Sequence, residues 1–111
     1  MRTLLLAQLL LAIPAFAAEG ETRTGLIAYA QCAEDGKVTE SEHANCAQGK
    51  NRDDHVLVFV DGGNPKKILE LLLEDPADPF VGKWVTVQGN VEDNFLEIIS
   101  IAPASEPATK K

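Results

Sequence analysis

The stretch that decides the fold lies near the carboxyl end of the chain and reads Gly82-Lys83-Trp84-Val85-Thr86-Val87-Gln88-Gly89-Asn90-Val91, Glu92-Asp93-Asn94, Phe95-Leu96-Glu97-Ile98-Ile99-Ser100-Ile101. Apolar and polar residues alternate through 84–91, which is the pattern of a strand with one buried face. The three residues that follow are typical of a turn, so residues 95–101 return as the partner strand of a β-hairpin. Val85, Val87 and Val91 then face inward, unless Gly89 introduces a β-bulge that shifts the register.

Upstream of this hairpin, two runs predict strands and one predicts a helix. Residues 24–30 are apolar with imperfect alternation, which suits a strand covered on both faces. Residues 55–60 are a strong strand signal that ends at Asp61-Gly62-Gly63. The leucine-rich segment 66–74 follows Asn64-Pro65, a helix cap and a proline at the first helical position, so it predicts the main α-helix.

The polar region between the first two strands predicts a short helix over 39–47, capped by Thr39 or Ser41, and leaves room for one hidden strand. The order of elements predicts a mainly β protein whose short strands close into a barrel or half-barrel with one main α-helix. We expect a single domain over 18–101 and a disordered tail over 102–111, which is rich in Pro, Ala, Ser and charge.

The amino terminus has the pattern of a signal peptide over residues 1–17. Met1-Arg2 is a charged start, residues 4–13 are a short apolar run, and Ala15 and Ala17 give the A-x-A arrangement of a cleavage site. The run is too short to span a membrane, and no cysteine near the cleavage site could carry a lipid. We therefore expect an exported protein, periplasmic or secreted, without a stable membrane anchor.

Size and charge restrict the classes of partner. The chain has 10 basic and 17 acidic residues, so loss of Arg2 with the signal peptide leaves a net charge of −8. An anionic surface repels phosphate backbones and anionic lipids, so we expect no nucleic acid among the partners. The mature chain is long enough for one small domain only.

Cys32 and Cys46 are the two cysteines of the chain. In an exported domain of this size they most simply form one disulfide, which closes a loop of about 15 residues worth roughly 3 kcal/mol in the chain-entropy model. The alternative is a metal site, because two thiolates and the imidazole of His43 could hold copper(I) or zinc. A fourth zinc ligand would then have to come from His55, Glu34, Asp35 or Glu42.

A weaker alternative is a hydrolase-like enzyme built on His55. This residue lies beside Asp53-Asp54, so a carboxylate could orient its ring as a general base. Ser41 and Thr39 are the candidate hydroxyl groups, but neither stands in a glycine elbow. The same residues are also explained as the polar start of a strand, with no catalytic role.

Two parts of the chain resemble known proteins. The G-K-x-V-x-V-x-G-x-V run of 82–91 with its return strand resembles the last hairpin of small OB-fold-like proteins. Gly25-Leu26-Ile27, Cys32 and His43-Ala44-Asn45-Cys46-Ala47 are similar to a group of short exported bacterial OB-like proteins, mostly uncharacterised, with a Cys…HxxCA segment. The chain departs from that group at Gly49-Lys50-Asn51-Arg52, where a further cysteine is often seen. The resemblance implies a small OB-like barrel and no particular reaction, because such barrels host many activities.

These observations favour a non-enzymatic exported binding or accessory module with a disulfide-stapled loop. The partner would be a protein or a small molecule, bound without a cofactor through the barrel face or through the stapled loop. The leucines of 66–74 lie on more than one stripe of a helix. That segment is therefore either deeply buried or meets a partner chain in part.

Overall fold

The computed structural model describes residues 20–64 and 67–107, and within them five strands form one sheet. Two α-helices, α1 (Ala30–Glu34) and α2 (Glu40–Ala47), lie between the first two strands. Short 3-10 helices cover Arg52–Asp54 and Asp75–Phe80. The strands are β1 (Glu21–Tyr29), β2 (Leu57–Asp61), β3 (Ile68–Leu71), β4 (Trp84–Glu92) and β5 (Phe95–Pro103).

The sheet closes on itself in the order β1-β2-β3-β5-β4, with β4 returning to pair with β1. All neighbouring strands are antiparallel except β3 and β5, which are parallel and share the two pairs Glu70↔Phe95 and Leu71↔Leu96. Five short strands closed in this way are the architecture of an OB-like barrel. The prediction of a small, mainly β, OB-like protein with one main helix is confirmed.

The β4–β5 hairpin forms as its sequence predicts, and it contains the bulge. The register shifts between Gln88 and Gly89, and the extra residue is Ile99 on β5. The alternation of β4 is therefore unbroken, and Val85 and Val87 are fully buried while Val91 packs against the same core. A side chain at Gly89 would overlap the carbonyl oxygen of Glu97, so the strands can approach closely at this point.

The core has two layers because both faces of β1 are covered. Leu26 to Tyr29 are all buried, as the imperfect alternation predicts. One layer fills the barrel and includes Ile27, Leu57, Phe59, Leu69, Val85, Val87 and Leu96. The other lies on the outer side of β1 and β2 beneath α1 and the loop after it, and includes Leu26, Ala28, Ala33, Val58, Val60 and Trp84.

The predicted main helix over 66–74 is wrong. Ile68–Leu71 is the strand β3, which pairs with β2 on one side and β5 on the other. Leu69 and Leu71 point into the barrel, whereas Glu70 is exposed, so the leucine run has the two-residue period of a strand once its neighbours are present. A short leucine-rich run fits both periods, and tertiary pairing chose the strand. Pro65 and Lys66 lie outside the described residues.

The main helix is instead α2, at the position of the predicted short helix. Its amino end is a capping box, in which the Thr39 hydroxyl accepts from the Glu42 N–H and the Glu42 carboxylate accepts from the Thr39 N–H. Such a box satisfies two of the helix's unpaired donors, so it specifies where α2 begins. The polar region 31–54, all of it described, contains no strand.

At the carboxyl end, the structure continues beyond residue 101, where the predicted domain ends. β5 includes Ala102 and Pro103, the Ala104 N–H donates to the Trp84 carbonyl, and Glu106 accepts from the Glu40 N–H. The predicted signal peptide and residues 108–111 fall outside the described residues. Across the described ranges, no helix is long and apolar enough to cross a membrane.

Gly25 gives a test of how tightly β1 and β2 approach. A methyl group there would overlap the Val60 carbonyl oxygen and lie 2.7 Å from the Phe59 ring. We expect Gly25→Ala to lower the free energy of unfolding by about 3 kcal/mol, because backbone and a buried ring must move. Gly63→Ala is the control, since its nearest neighbour would be 3.7 Å away. Urea unfolding of both variants measures the difference, and equal stabilities would contradict this packing.

Candidate functional site

The segment between β1 and β2 is stapled to itself by a disulfide. Cys32 on α1 and Cys46 on α2 are bonded, with their Cα atoms 5.9 Å apart. Cys32 is fully buried and belongs to the same core layer as the barrel interior. The predicted disulfide is confirmed, and it holds the two helices together at one end of the barrel.

His43 lies inside this stapled segment and is only 2% exposed. Its Nε2 accepts a hydrogen bond of 2.9 Å from the backbone N–H of Tyr29. An accepting Nε2 carries no proton, so the neutral ring is protonated on Nδ1. Burial lowers the pKa of His43, which favours the same neutral form. His43 therefore links α2 to the end of β1.

The three side chains that the metal alternative needs are bonded to other partners. Both sulfurs are committed to the disulfide, and the Nε2 of His43 is committed to Tyr29. Among the described residues, no three His, Cys, Asp or Glu side chains are grouped so that they could hold a metal ion. Cys32 and Cys46 are bonded to each other, and His43, three residues before Cys46 on α2, is hydrogen-bonded to Tyr29.

His55 is placed by packing rather than by a catalytic arrangement. Its ring stacks on Tyr29 with centroids 4.9 Å apart, and no hydrogen bond joins it to Ser41 or Thr39 in the described part of the chain. The Thr39 hydroxyl is occupied in the capping box. Tyr29 thus lies between His55 and His43, whose ring centroid is 5.3 Å away.

One concave surface runs beside α2. It is lined by the helix residues Ser41, His43, Ala44 and Ala47 and by the opposite segment 81–83. Glu40, which also lines it, uses one carboxylate oxygen to accept from the Trp84 N–H at 2.8 Å. This surface has a volume of about 480 Å³, and its apolar side chains, Ala44, Ala47 and Val81, are small or partly buried.

A second surface exposes large apolar side chains. Five such residues among those described are between 43% and 70% exposed, and they are Val56, Leu72, Leu73, Phe95 and Ile99. Phe95 and Ile99 lie on the outer face of β5, because Leu96 and Ile98 point inward. Leu72 follows β3, and its N–H donates to the Leu96 carbonyl. The β3–β5 pairing brings Leu72 and Phe95 together.

Leu72 and Phe95 line a groove of about 180 Å³ that we name the β3–β5 groove. Its other lining residues come from the β4–β5 hairpin and are Asn90, Glu92, Asp93 and Glu97. The turn between the strands has Asp93 at a φ of 57°, a left-handed conformation that Asp tolerates. The groove therefore combines an apolar floor with acidic sides.

The acids of this groove lack the counter-charges found elsewhere on the surface. Arg52 donates to Glu74 and Asp78, and Arg23 donates to Glu21. Glu92, Asp93 and Glu97 form no ion pair within the described residues. Within residues 20–64 and 67–107, the acidic side chains of the groove are therefore not neutralised by an ion pair.

The sequence indicates two of the segments that form this groove, but it does not predict that they meet. The leucine run was identified as a segment that could meet a partner, but on a helix. Phe95 was placed on the correct strand, with no reason to single it out. The missing information was the parallel pairing of β3 with β5, which joins residues that are 25 positions apart in the chain.

Comparisons with protein-family models, with curated proteins and with solved structures found no match for this chain. The candidate function therefore depends on the geometry of the chain itself.

The disulfide is expected to supply a large part of the stability of so small a domain. Replacing both cysteines, Cys32→Ala with Cys46→Ala, should lower the free energy of unfolding by about 3 kcal/mol, because the unfolded chain regains the freedom of a 15-residue loop. Urea unfolding of the variant measures this loss. Adding a reductant should lower the stability of the wild type and leave that of the variant unchanged. A wild type whose stability does not change with reductant would contradict the disulfide assignment.

His43 should make stability depend on pH. Because its pKa is lowered on folding, the unfolded state binds more protons in acid, so this contribution is complete above about pH 6.5 and is lost as the pH falls below it. His43→Gln keeps an acceptor near the Tyr29 N–H and cannot titrate. We expect the variant's urea midpoint to fall less than the wild type's between pH 7.5 and pH 5.5.

The control for this measurement is His55→Gln, because His55 also contacts Tyr29 but accepts no hydrogen bond from its backbone. That variant should keep the wild-type decrease. The neighbouring ionisable groups Glu40 and Lys83 are unchanged in both variants. A His43→Gln protein with the full wild-type pH dependence would show that another group is responsible.

Proposed function

We propose that this protein is an exported binding module that docks an apolar segment of a partner protein in the β3–β5 groove. The observation that carries the proposal is the exposure of Leu72, Leu73 and Phe95, at 56%, 70% and 43%, on an otherwise well-packed barrel. Large apolar side chains gathered at one place on a small domain mark an interaction surface. Leu73, which directly follows Leu72, is the most exposed of the three.

The shape of the groove favours a protein segment over a small molecule. Its volume of about 180 Å³ is below the roughly 300–1,000 Å³ of pockets that enclose a small ligand. It also lies across the ends of strands and the adjoining hairpin, where an extended segment could run along the surface. A shallow site of this kind is typical of protein–protein recognition.

The scaffold is suited to this role because the groove belongs to rigid elements. The end of β3 is held to β5 by two backbone hydrogen bonds, from the Glu70 N–H to Asn94 and from the Leu72 N–H to Leu96, at 2.8 and 2.9 Å. A surface that is already ordered loses little conformational entropy on binding. Each side chain is roughly half exposed, so covering it supplies about half of the ~1.5–3 kcal/mol of complete burial.

Export is supported by two independent features. The residues 1–17 have the signal-peptide pattern, and the disulfide between Cys32 and Cys46 is a bond that persists in oxidising compartments. The Cys…HxxCA resemblance agrees with both, and we propose that the protein belongs with the short exported bacterial OB-like proteins that it resembles. The periplasm or the extracellular medium is then its place of action.

The proposal is tested by titrating ¹⁵N-labelled mature protein with the neutral peptide acetyl-SLSFSLS-amide. We expect amide shifts at residues 70–73 and 90–97, with a dissociation constant of about 1 mM, because only a few half-exposed side chains are covered. Leu72→Ser and Phe95→Ser should each abolish these shifts. Both residues are exposed, so the substitutions should leave the fold and the disulfide intact.

Ile99→Ser is the matched control, because Ile99 is exposed on the same face of β5 but does not line the groove. It should bind the peptide as the wild type does. Shifts elsewhere on the barrel, or undiminished shifts in Leu72→Ser and Phe95→Ser, would show that the groove is not the docking site.

A further inference from the structure

The strand positions around Phe95 carry acidic residues. Phe95 pairs with Glu70 on β3 and with Glu92 on β4, so a glutamate lies beside it on each neighbouring strand. Side chains at paired positions share a face, with Cβ atoms about 4.5–5.5 Å apart. Glu97, two residues further along β5, is on this face as well. Glu70, Glu92 and Glu97 thus share the outer face of the sheet with the exposed Phe95.

This arrangement matches the chemistry of a lysine or arginine side chain. An ammonium or guanidinium group is attracted to the face of an aromatic ring, and its aliphatic stem packs on apolar surface. The same head group can pair with the carboxylates that share this face with Phe95. Since Glu70, Glu92 and Glu97 form no ion pair within the described chain, they are available to a partner.

A second copy of the chain fits this surface poorly. A symmetric dimer would bring the same patch of each copy together, and Glu70, Glu92 and Glu97 would then face their own counterparts. Like charges placed opposite each other at an interface are unfavourable. The net charge of −7 for the whole chain adds to this repulsion. Charge complementarity therefore favours a basic partner.

We propose that the occupant of the β3–β5 groove is a cationic segment of another protein, with a lysine or arginine seated over Phe95 among Glu70, Glu92 and Glu97. This inference deepens the proposed function and rests on it. Leu72 and Leu73 contact the apolar side chains of the segment, while the carboxylates select its charge. The acidic surface also speeds encounter with a basic partner at low ionic strength.

The test compares three peptides on the ¹⁵N-labelled mature protein: cationic acetyl-KLKFKLK-amide, neutral acetyl-SLSFSLS-amide and anionic acetyl-ELEFELE-amide. In 20 mM NaCl we expect the cationic peptide to bind about tenfold tighter than the neutral one, and the anionic peptide to bind more weakly than either. The cationic advantage should shrink in 500 mM NaCl because salt screens exposed charges.

Two double variants locate the effect. Glu92→Gln with Glu97→Gln should remove most of the cationic advantage, measured as the ratio of the affinities for the cationic and the neutral peptide. Glu34→Gln with Asp35→Asn removes the same number of charges at the end of α1, away from the groove, and should preserve the advantage. Equal losses in both variants would overturn the proposal, because net charge and not the groove would then select the peptide.

The remaining outcomes separate this inference from the proposed function. Binding of all three peptides with equal affinity in the groove would overturn the charge selection and leave the docking function standing. Binding of none of them would overturn both. Sedimentation equilibrium completes the test, and a dimer that buries the groove and excludes the cationic peptide would overturn the inference in favour of self-association.

Discussion

The short parallel pairing of β3 with β5 is the contact on which the rest of the structure depends. It consists of two residue pairs and is reinforced by the backbone hydrogen bonds that the Glu70 and Leu72 N–H groups donate. Without it, β1–β3 and the β4–β5 hairpin would form an open sheet with two free edges. Closure buries Leu71 and Leu96 in the barrel and leaves Leu72 and Phe95 adjacent on the outside.

The segment between β1 and β2 is organised around Tyr29. Its N–H donates to His43, its ring contacts both His43 and His55, and the chain turns from β1 directly into α1 after it. The disulfide then ties α1 to α2, so the polar segment between the first two strands is held against the core at several points. The sequence suggests these cysteines and histidines as metal-binding or catalytic residues, but here they make structural contacts. The candidate docking surface lies on β3 and on the β4–β5 hairpin.

Features that depend on residues close together in the sequence were predictable from it, whereas features that depend on distant residues were not. The β4–β5 hairpin was predictable because its alternation and turn are local, and so was the capping box of Thr39 and Glu42. The disulfide was predictable because the chain has two cysteines only. The segment 68–71 was predicted as a helix because a local leucine pattern cannot show that strands β2 and β5 will lie on either side of it.

The sequence by itself therefore determined the class of the fold, the cysteine pairing, the acidic surface and the main hairpin. These follow from local periodicity, composition and the small number of cysteines. Only the tertiary structure decided that the leucine run is a strand, that His43 is a buried acceptor, and that Leu72 and Phe95 lie on one surface with Glu70, Glu92 and Glu97. The physical reason is that each of these depends on a contact between distant residues, and local sequence patterns do not specify which distant residues will pair.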